Sequence, residues 1–260
     1  MAFHLTLTRG FSTFFKRIWF VWCALMFLFT ALAALVAYLF IFNLFRYEKA
    51  YRYSFYVTKF WGKALTALMG VKMRVEGAEK LDPTQSYVII SNHQSAVDIP
   101  LCMAACPVPF SFLAKIEADK VPVVGYLARN MHIYVDRKSE QSRQESYSRM
   151  QKHVLGGKSI HIYAEGTRNK TDELLTKFYD GAFKLAIETQ KPLALLTLIG
   201  ADKTVNPRES FKASPAFVYC LWSEPIPTEG LTLDDLDMLK EKAYNQIWQH
   251  LHAHKIAKVA

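Results

Sequence analysis

The sequence predicts a mixed α/β fold, a largely buried sheet flanked by helices, with a hydrophobic membrane-helix segment at its N-terminus. Two observations support this. Residues 18–45 form an uncharged apolar run, and after Gly70 short β-branched runs alternate with helical stretches. A chain of 260 residues, 51% of them hydrophobic, can build one core of roughly 200 residues beside that run. We therefore assign residues 1–66 to a membrane-associated helical segment and residues 67–260 to one globular domain.

The N-terminal apolar run is long enough to cross a bilayer. Residues 18–45 are 28 residues without a charge, and a spanning helix needs roughly 20. A secretory signal peptide has a shorter apolar stretch of about 7–15 residues before a small-residue cleavage site, so we expect the run to be retained. Because arginines and lysines lie on both sides of it, the positive-inside rule does not give its orientation.

Two arrangements of this segment stay open at the level of sequence. The run is either a single tilted span or a bent, re-entrant helix that enters one leaflet and keeps both basic flanks on one face. Residues 47–68 favour an interfacial continuation, because aromatic residues there are interspersed with Arg52, Lys59 and Lys63. Aromatics and lysines together are typical of the headgroup region. The alternative is an ordinary amphipathic helix packed on the globular core.

After Gly70, strand-like and helix-like segments alternate. Strands are predicted at residues 72–75, 87–91, 110–114, 132–135, 159–164, 193–199 and 217–222. Helices are predicted over residues 140–155, ended by two glycines, and over 181–189, ended before a proline. A last helix, from 232 to about 254, begins with a capping box of Thr232 and Asp235. This alternation indicates one α/β domain.

The composition indicates a negatively charged partner. The formal net charge is +9 and the pI is near 9.3, which fits nucleic acid, an anionic membrane surface or a phosphorylated ligand. Nucleic acid is not expected, because no aromatic–basic pattern of a nucleic-acid module is present. The four cysteines lack paired metal spacing and are expected to be reduced. We interpret His250, His252 and His254 as part of a solvated tail, so no metal site is predicted.

The first chemistry-bearing motif directly follows the predicted strand at 87–91. Active sites of α/β sheets gather at such strand ends. His93 and Asp98 are five residues apart, so they can meet only if His93 is in the loop and Asp98 in the first turn of the next helix. Ser95 and Asp98 fit a capping box that places the helix start at about residue 96. Asp98 is then either a helix cap alone or also the carboxylate that orients His93 as a general base.

Two further motifs also follow predicted strands. The segment Glu165-Gly166-Thr167-Arg168 comes after the strand at 159–164. Its glycine lets the backbone approach a ligand, and its arginine offers the forked donors that match a phosphate. Arg137 follows the strand at 132–135 in the same way. The structural alternatives are a surface turn with a Glu–Arg ion pair for the first motif and a solvated basic turn for the second.

Taken in order, these motifs identify a family. The Asn-His-x4-Asp motif, the strand ending in Asp-Arg, the Glu-Gly-Thr-Arg segment and the apolar strand after Lys-Pro resemble the 1-acylglycerol-3-phosphate acyltransferases of the phospholipid/glycerol acyltransferase family. The resemblance covers residues from about 70 to 225, so residues 67–260 would be a glycerophospholipid acyltransferase domain. It implies that His93 is the general base paired with Asp98. It also implies a set of substrate-binding residues: Lys115, Arg137, Glu165, Gly166, Thr167 and Arg168.

The sequence departs from the family pattern at three places. Tyr163 stands where the family more often has Phe, Asn169 stands where Ser is usual, and residues 130–132 replace an approach to the strand that typically contains glycine. The last departure concerns the shape of the acceptor pocket. The chemistry of the His–Asp motif is unaffected by it.

The resemblance implies an enzyme that transfers an acyl group from acyl-CoA or acyl carrier protein to the sn-2 hydroxyl of 1-acyl-sn-glycerol 3-phosphate, giving phosphatidic acid. No Gly-x-Ser-x-Gly elbow is present, so we expect direct transfer without an acyl-enzyme. No cofactor is expected beyond the thioester co-substrate. The expected partners are membrane lipids, lysophosphatidic acid and the acyl donor, with the catalytic domain at the cytoplasmic face of a membrane.

Two alternatives remain open from the sequence. One is an enzyme of the same family that acts on glycerol 3-phosphate or another lysolipid. The other is a non-catalytic protein that binds anionic membranes through its basic surface.

Overall fold

The computed structural model describes residues 2–121 and 124–256 of the chain. Its α-helices are α1 (Ala2–Leu44), α2 (Tyr47–Leu68), α3 (Asp98–Ala105), α4 (Val124–Met131), α5 (Glu140–Leu155), α6 (Gly181–Thr189) and α7 (Leu236–Ile256). Its strands are β1 (Val71–Glu76), β2 (Val88–Ser91), β3 (Phe110–Lys115), β4 (Ile133–Val135), β5 (Ser159–Tyr163), β6 (Leu193–Ile199) and β7 (Ala216–Trp222). Every predicted strand is present, within one residue of its predicted bounds.

The strands form one seven-stranded sheet in the order β1-β7-β6-β2-β5-β3-β4. Neighbouring strands are parallel except β6 and β7, which are antiparallel. The predicted mixed sheet flanked by helices is therefore confirmed. Because β2, β5, β3 and β4 are adjacent and parallel, their carboxyl ends meet at the same edge of the sheet. All the chemistry-bearing motifs follow these four strands.

Apolar side chains cover both faces of the sheet. The helices α1, α2 and α3 pack on one face, and α5, α6 and α7 pack on the other. In β2, Ile89 belongs to the first core whereas Val88 and Ile90 belong to the second, because successive side chains of a strand point to opposite faces. All residues of β6 are buried, as expected for a strand between two helix layers.

Helices α1 and α2 lie antiparallel against each other. The indole N–H of Trp19 donates to the Met69 carbonyl at 3.2 Å near one end of the pair. Further along α1, the hydroxyl of Tyr38 contacts the hydroxyl of Thr58 in the middle of α2. Because α2 also packs on α3 through its buried side, the helix pair is attached to the sheet along its length.

The outer side of α1 is apolar and exposed. Among the described residues, one helical segment, Ser12–Leu44, is long and apolar enough to cross a membrane, with a mean hydropathy of 2.6. Ile18, Val21 and Leu25, spaced as one face of a helix, are 49%, 56% and 54% exposed. The predicted apolar segment is thus a helix that keeps a wide apolar surface uncovered by the described residues.

The predicted helices are present, and two of them keep their predicted bounds. Helices α5 and α6 have their predicted bounds, and α7 begins at Leu236, after a short 3₁₀ turn. The predicted capping box is present there, with the Thr232 N–H donating to Asp235 Oδ2 at 2.8 Å. Helix α4 was not predicted. The four cysteines are buried free thiols.

Candidate active site

His93 and Asp98 are in direct contact. His93 Nδ1 lies 2.7 Å from Asp98 Oδ2, and the same oxygen accepts the backbone N–H groups of Gln94 at 2.6 Å and Ser95 at 2.7 Å. Because Oδ2 is the acceptor in this cluster, we assign the proton to Nδ1, which leaves Nε2 free to accept a proton. A buried carboxylate that orients a histidine in this tautomer is the arrangement of a general base.

Asp98 also shapes the loop that carries the histidine. The helix starts at Asp98, two residues after the predicted start near residue 96. The Ser95 hydroxyl accepts the Val97 N–H at 3.3 Å and donates to the Val205 carbonyl at 2.7 Å. Burial raises the pKa of the Asp98 carboxyl, while hydrogen bonds from His93 and the loop backbone act in the opposite direction. Asp98 therefore holds the turn before α3 and also contacts His93, while its part in catalysis stays a prediction.

Tyr163 at the end of β5 stacks on the imidazole of His93. The ring centroids are 3.8 Å apart and the planes differ by 15°. The Tyr163 hydroxyl lies 3.7 Å from the sulfur of Cys102 in α3, and Phe112 of β3 is parallel to the tyrosine ring at 6.2 Å. The histidine plane is thus held on its face by Tyr163 and at its edge by Asp98.

The Glu165 carboxylate is bonded to the protein on both oxygens. Oε1 accepts the His93 N–H at 2.7 Å, and Oε2 accepts the Thr176 N–H at 2.8 Å and the Thr176 hydroxyl at 2.7 Å. Burial raises the pKa of this carboxyl, while the backbone bonds from Thr176 and His93 lower it. Glu165 therefore ties the histidine loop to the segment after β5, and its contact with a substrate stays a prediction.

The predicted site residues surround two adjoining cavities. One, of about 430 Å³, is lined by predicted residues from all the motifs: His93, Lys115, Arg137, Gly166, Thr167 and Arg168. The other, of about 530 Å³, is lined by Glu165 and shares Arg137, Gly166 and Thr167 with the first. The carboxyl ends of β2, β3, β4 and β5 thus bring His93 and four cations, the three predicted ones and Lys170, to one opening.

The cations at this opening have no ion-pair partner in the described part of the chain. No salt bridge joins Lys115, Arg137, Arg168 or Lys170 to a described carboxylate. Desolvation lowers the pKa of the Arg137 guanidinium, which nevertheless stays charged at neutral pH. Exposed cations gathered at one opening fit an anionic group of a ligand.

Gly166 is required by the geometry of its turn. Its φ is +70°, and a Cβ atom there would lie 2.9 Å from Cε2 of Tyr179. Both the left-handed conformation and the close ring exclude a larger residue. The structure thus requires glycine here because of the turn and the Tyr179 ring, and the approach of this backbone to a ligand stays a prediction.

Comparison with known proteins agrees with this geometry. Residues 72–198 match the model of the acyltransferase family. A mouse protein named 1-acyl-sn-glycerol-3-phosphate acyltransferase alpha is 31% identical over 67% of this chain and 61% of its own length. Residues 72–198 are an acyltransferase-family domain. A Saccharomyces cerevisiae protein named 1-acyl-sn-glycerol-3-phosphate acyltransferase is 29% identical over 69% of this chain and 60% of its own length.

The similarity covers part of the length of these two relatives and nearly all of one solved structure. The chain spans about three fifths of the length of the mouse and yeast relatives. The crystal structure of the 1-acyl-sn-glycerophosphate acyltransferase PlsC from Thermotoga maritima has a TM-score of 0.78, with 20% identity over 95% of this chain and 98% of that one. At this identity the likeness shows a shared fold, including the N-terminal helices.

Several lining residues of the site were not predicted, and three of them join it to a second cavity. Ile99, Met103 and His132 line both the histidine cavity and an apolar cavity of about 380 Å³ that reaches α1 and α2. Ile99 and Met103 are four apart, directly after Asp98, so helical spacing could have placed them on one face beside the motif. His132 is brought in by the pairing of β3 and β4, which the sequence does not reveal.

The buried His161 behind the site should make the stability of the acyltransferase domain dependent on pH. Its imidazole is 1% exposed, contacts the Ser91 hydroxyl at 3.1 Å, and burial lowers its pKa to about 3. Below about pH 6.5 this imidazole binds a proton in the unfolded chain but not in the folded one, so the free energy of unfolding decreases as the pH is lowered towards the folded pKa. We expect His161 to lower the free energy of unfolding by about 2 kcal/mol when the pH is changed from 7 to 5.

Denaturant unfolding of the detergent-solubilised chain at these two pH values measures this contribution. His161→Gln should reduce the difference in unfolding free energy between pH 7 and pH 5 by about 2 kcal/mol relative to the native protein. His252→Gln, on the surface of α7, is the matched control. An unchanged pH dependence in His161→Gln would contradict the assignment.

Proposed function

We propose that this chain transfers an acyl group from an acyl thioester, carried by coenzyme A or acyl carrier protein, to the sn-2 hydroxyl of 1-acyl-sn-glycerol 3-phosphate, giving phosphatidic acid. The supporting observation is the placement of the His93–Asp98 pair in one cavity with Lys115, Arg137 and Arg168. A base and a phosphate-sized cluster of cations are what acylation of a phosphorylated alcohol requires. The names of the mouse and yeast relatives point to the same acceptor.

In the proposed reaction, His93 Nε2 takes the proton of the acceptor hydroxyl as its oxygen attacks the thioester carbonyl. The tetrahedral intermediate collapses, the C–S bond breaks, and the proton passes from His93 to the leaving thiolate. Asp98 stabilises the imidazolium in between. General-base catalysis accelerates the reaction by a factor of about 10²–10⁴. Positioning of the substrates and stabilisation of the oxyanion supply the remaining acceleration, and Lys115 is the candidate for stabilising the oxyanion.

The thiol nearest the base supports direct transfer. Cys102 is buried, and burial raises the pKa of its thiol well above the ordinary value. A protonated thiol is a poor nucleophile. We therefore propose that the acyl group passes to the acceptor without an acyl-enzyme.

The apolar cavity beside the site favours an acceptor that already carries an acyl chain. Its volume is about 380 Å³, and its walls include Phe27, Trp61 and Met103. Glycerol 3-phosphate has no apolar part to occupy such a space. The cavity therefore supports a lysolipid as the acceptor.

The helix pair supports a membrane-bound enzyme. Tyr56 and Phe60 on the outer side of α2 are 60% and 74% exposed, next to the exposed apolar side of α1. Because α1 is bound to α2 along its length, we propose the re-entrant arrangement, in which both helices lie in one leaflet and the site opens at the headgroups. We further propose that this leaflet faces the cytoplasm, where acyl thioesters are made.

Replacing Arg137 by glutamine tests the proposed acceptor. We expect the KM for 1-acyl-sn-glycerol 3-phosphate to rise about 10–100-fold, because hydrogen bonds to charged groups contribute about 1.5–3 kcal/mol. The KM for a monoacylglycerol, which lacks the phosphate, should not change. Steady-state kinetics of purified protein with both acceptors provide the measurement.

The matched control is Arg74→Gln, which removes an exposed arginine paired with Glu76 on β1 at 2.6 Å. This variant should leave both KM values unchanged. An equal effect of Arg137→Gln on the two acceptors would rule out Arg137 as a phosphate ligand.

A further inference from the structure

The loop after β6 contains a strained aromatic residue. Phe211 has a φ of +55° and its side chain is 71% exposed. A bulky residue with positive φ is rare, because its Cβ crowds the backbone. An exposed phenylalanine with a strained backbone is stabilised little by contacts within its own chain. Strain of this kind often marks a functional position.

This loop adjoins the apolar surface of α1. The rings of Phe211 and Phe20 meet edge to face, with centroids 5.6 Å apart. The Ala213 N–H donates to the Lys16 carbonyl at 3.0 Å, which fixes the loop to the start of the apolar run of α1. Phe211 therefore extends the exposed apolar surface that includes Ile18.

Basic residues lie next to the aromatic ring. Lys16, Lys203 and Lys212 line a cavity of about 230 Å³ together with Asp202 and Glu209. Lys212 pairs with Glu209 at 3.4 Å, and the lining keeps an excess of one positive charge. Lysines around an exposed aromatic residue match the headgroup layer of an anionic bilayer.

We infer that residues 204–214, here named the Phe211 loop, form a second membrane contact, in which Phe211 enters an anionic phospholipid bilayer beside α1. The inference rests on the proposed membrane association of the helix pair. The partner that this loop contacts is a lipid surface, because the exposed ring extends the apolar surface of α1 and is bordered by lysines. The ring would reach the boundary between headgroups and acyl chains.

The Phe211 loop is bonded to the loop of the catalytic histidine. The Ser95 hydroxyl donates to the Val205 carbonyl at 2.7 Å, and Ser95 belongs to the segment that Asp98 holds. The depth of Phe211 in the bilayer therefore sets the depth of the His93 loop. The second contact would keep the base level with the acceptor hydroxyl.

A fluorescent probe on the full chain tests this contact. The four native cysteines are buried, so a single new cysteine in Phe211→Cys can be labelled selectively. With vesicles of phosphatidylcholine and phosphatidylglycerol, we expect iodide quenching of the probe to fall about fivefold as the probe enters the interface. Lipids with brominated acyl chains should quench it.

Phe217→Cys is the matched control. Phe217 on β7 is also exposed, at 46%, but its neighbour Tyr219 packs with the core on the opposite face from α1. Its probe should be quenched equally by iodide with and without vesicles. Co-sedimentation of the chain with a probe at 211 that stays open to iodide would overturn the Phe211 contact alone. Failure to co-sediment would overturn the membrane proposal and this inference together.

Phe211→Gly separates membrane contact from a purely structural role. Glycine adopts positive φ without strain, so the melting temperature should stay the same or rise. Acylation of an acceptor embedded in vesicles should fall about fivefold, while acylation of a short-chain, water-soluble acceptor should not change. A lower melting temperature with equal losses on both acceptors would show that Phe211 serves only to pack the loop.

Discussion

Replacing His93 by glutamine is expected to lower kcat about a thousandfold and to leave binding to anionic vesicles unchanged. Glutamine can still hydrogen-bond to Asp98, but it cannot accept the proton of the acceptor hydroxyl. The expected loss lies within the range of about 10²–10⁴ for removal of a general base. Turnover of 1-acyl-sn-glycerol 3-phosphate and co-sedimentation with vesicles are measured on the same preparation.

This experiment also decides between the enzyme and a non-catalytic membrane binder. A binder that uses only its basic and apolar surface would show no turnover in the native protein and would be indifferent to the substitution. The control is His252→Gln, in which the lost ring stacks on Trp248 in α7, 4.4 Å between centroids. Turnover of His93→Gln close to that of the control would exclude His93 as the base.

The strands and the contact between His93 and Asp98 could be predicted because both depend on local sequence. A strand buried on both faces is an apolar run, and β6, with every residue buried, has its predicted bounds. The five-residue spacing of His93 and Asp98 restricts their contact to a loop followed by a helix. These features need no knowledge of which strands are neighbours.

The contacts around the pair could not be predicted because they depend on strand order. Tyr163 meets His93 since β2 and β5 are neighbours, with Ser91 in register with Tyr163. Nothing in the sequence between residues 91 and 163 specifies that pairing. The same holds for Thr176, which shares the Glu165 carboxylate with the His93 loop. The sequence therefore identified Glu165 as part of a motif but did not show which groups its carboxylate binds.

The start of α3 shows a local rule and a distant contact acting together. Ser95 and Asp98 have the spacing of a capping box, and the Ser95 hydroxyl accepts the Val97 N–H at 3.3 Å while Asp98 accepts the Ser95 N–H at 2.7 Å. The same hydroxyl also donates to the carbonyl of Val205, 110 residues away. A capping rule considers only neighbouring residues, so it could not predict this second contact.

Two substitutions at Asp98 separate its structural role from its catalytic one. In Asp98→Ala, the buried N–H groups of Gln94 and Ser95 and the His93 Nδ1–H lose their acceptor. We expect a loss of about 3 kcal/mol in unfolding free energy, since each unsatisfied group costs about 1–3 kcal/mol and the loop can relax in part. We also expect kcat to fall about 10³–10⁴-fold, because the tautomer of the base is no longer fixed.

Asp98→Asn should keep most of the stability and lose most of the activity. Its amide oxygen can still accept the backbone N–H groups of Gln94 and Ser95, so the unfolding free energy should fall by only about 1 kcal/mol. The same amide oxygen can also accept the His93 Nδ1–H, because one oxygen of Asp98 serves all three donors. The amide carries no negative charge, however, so it cannot stabilise the imidazolium that forms when His93 takes the proton. Denaturant unfolding and kcat, measured on both variants, give two independent quantities. If activity followed stability across the two variants, Asp98 would act on the loop alone; if Asp98→Asn lost kcat as Asp98→Ala does while staying folded, the charge of the carboxylate would act directly on His93.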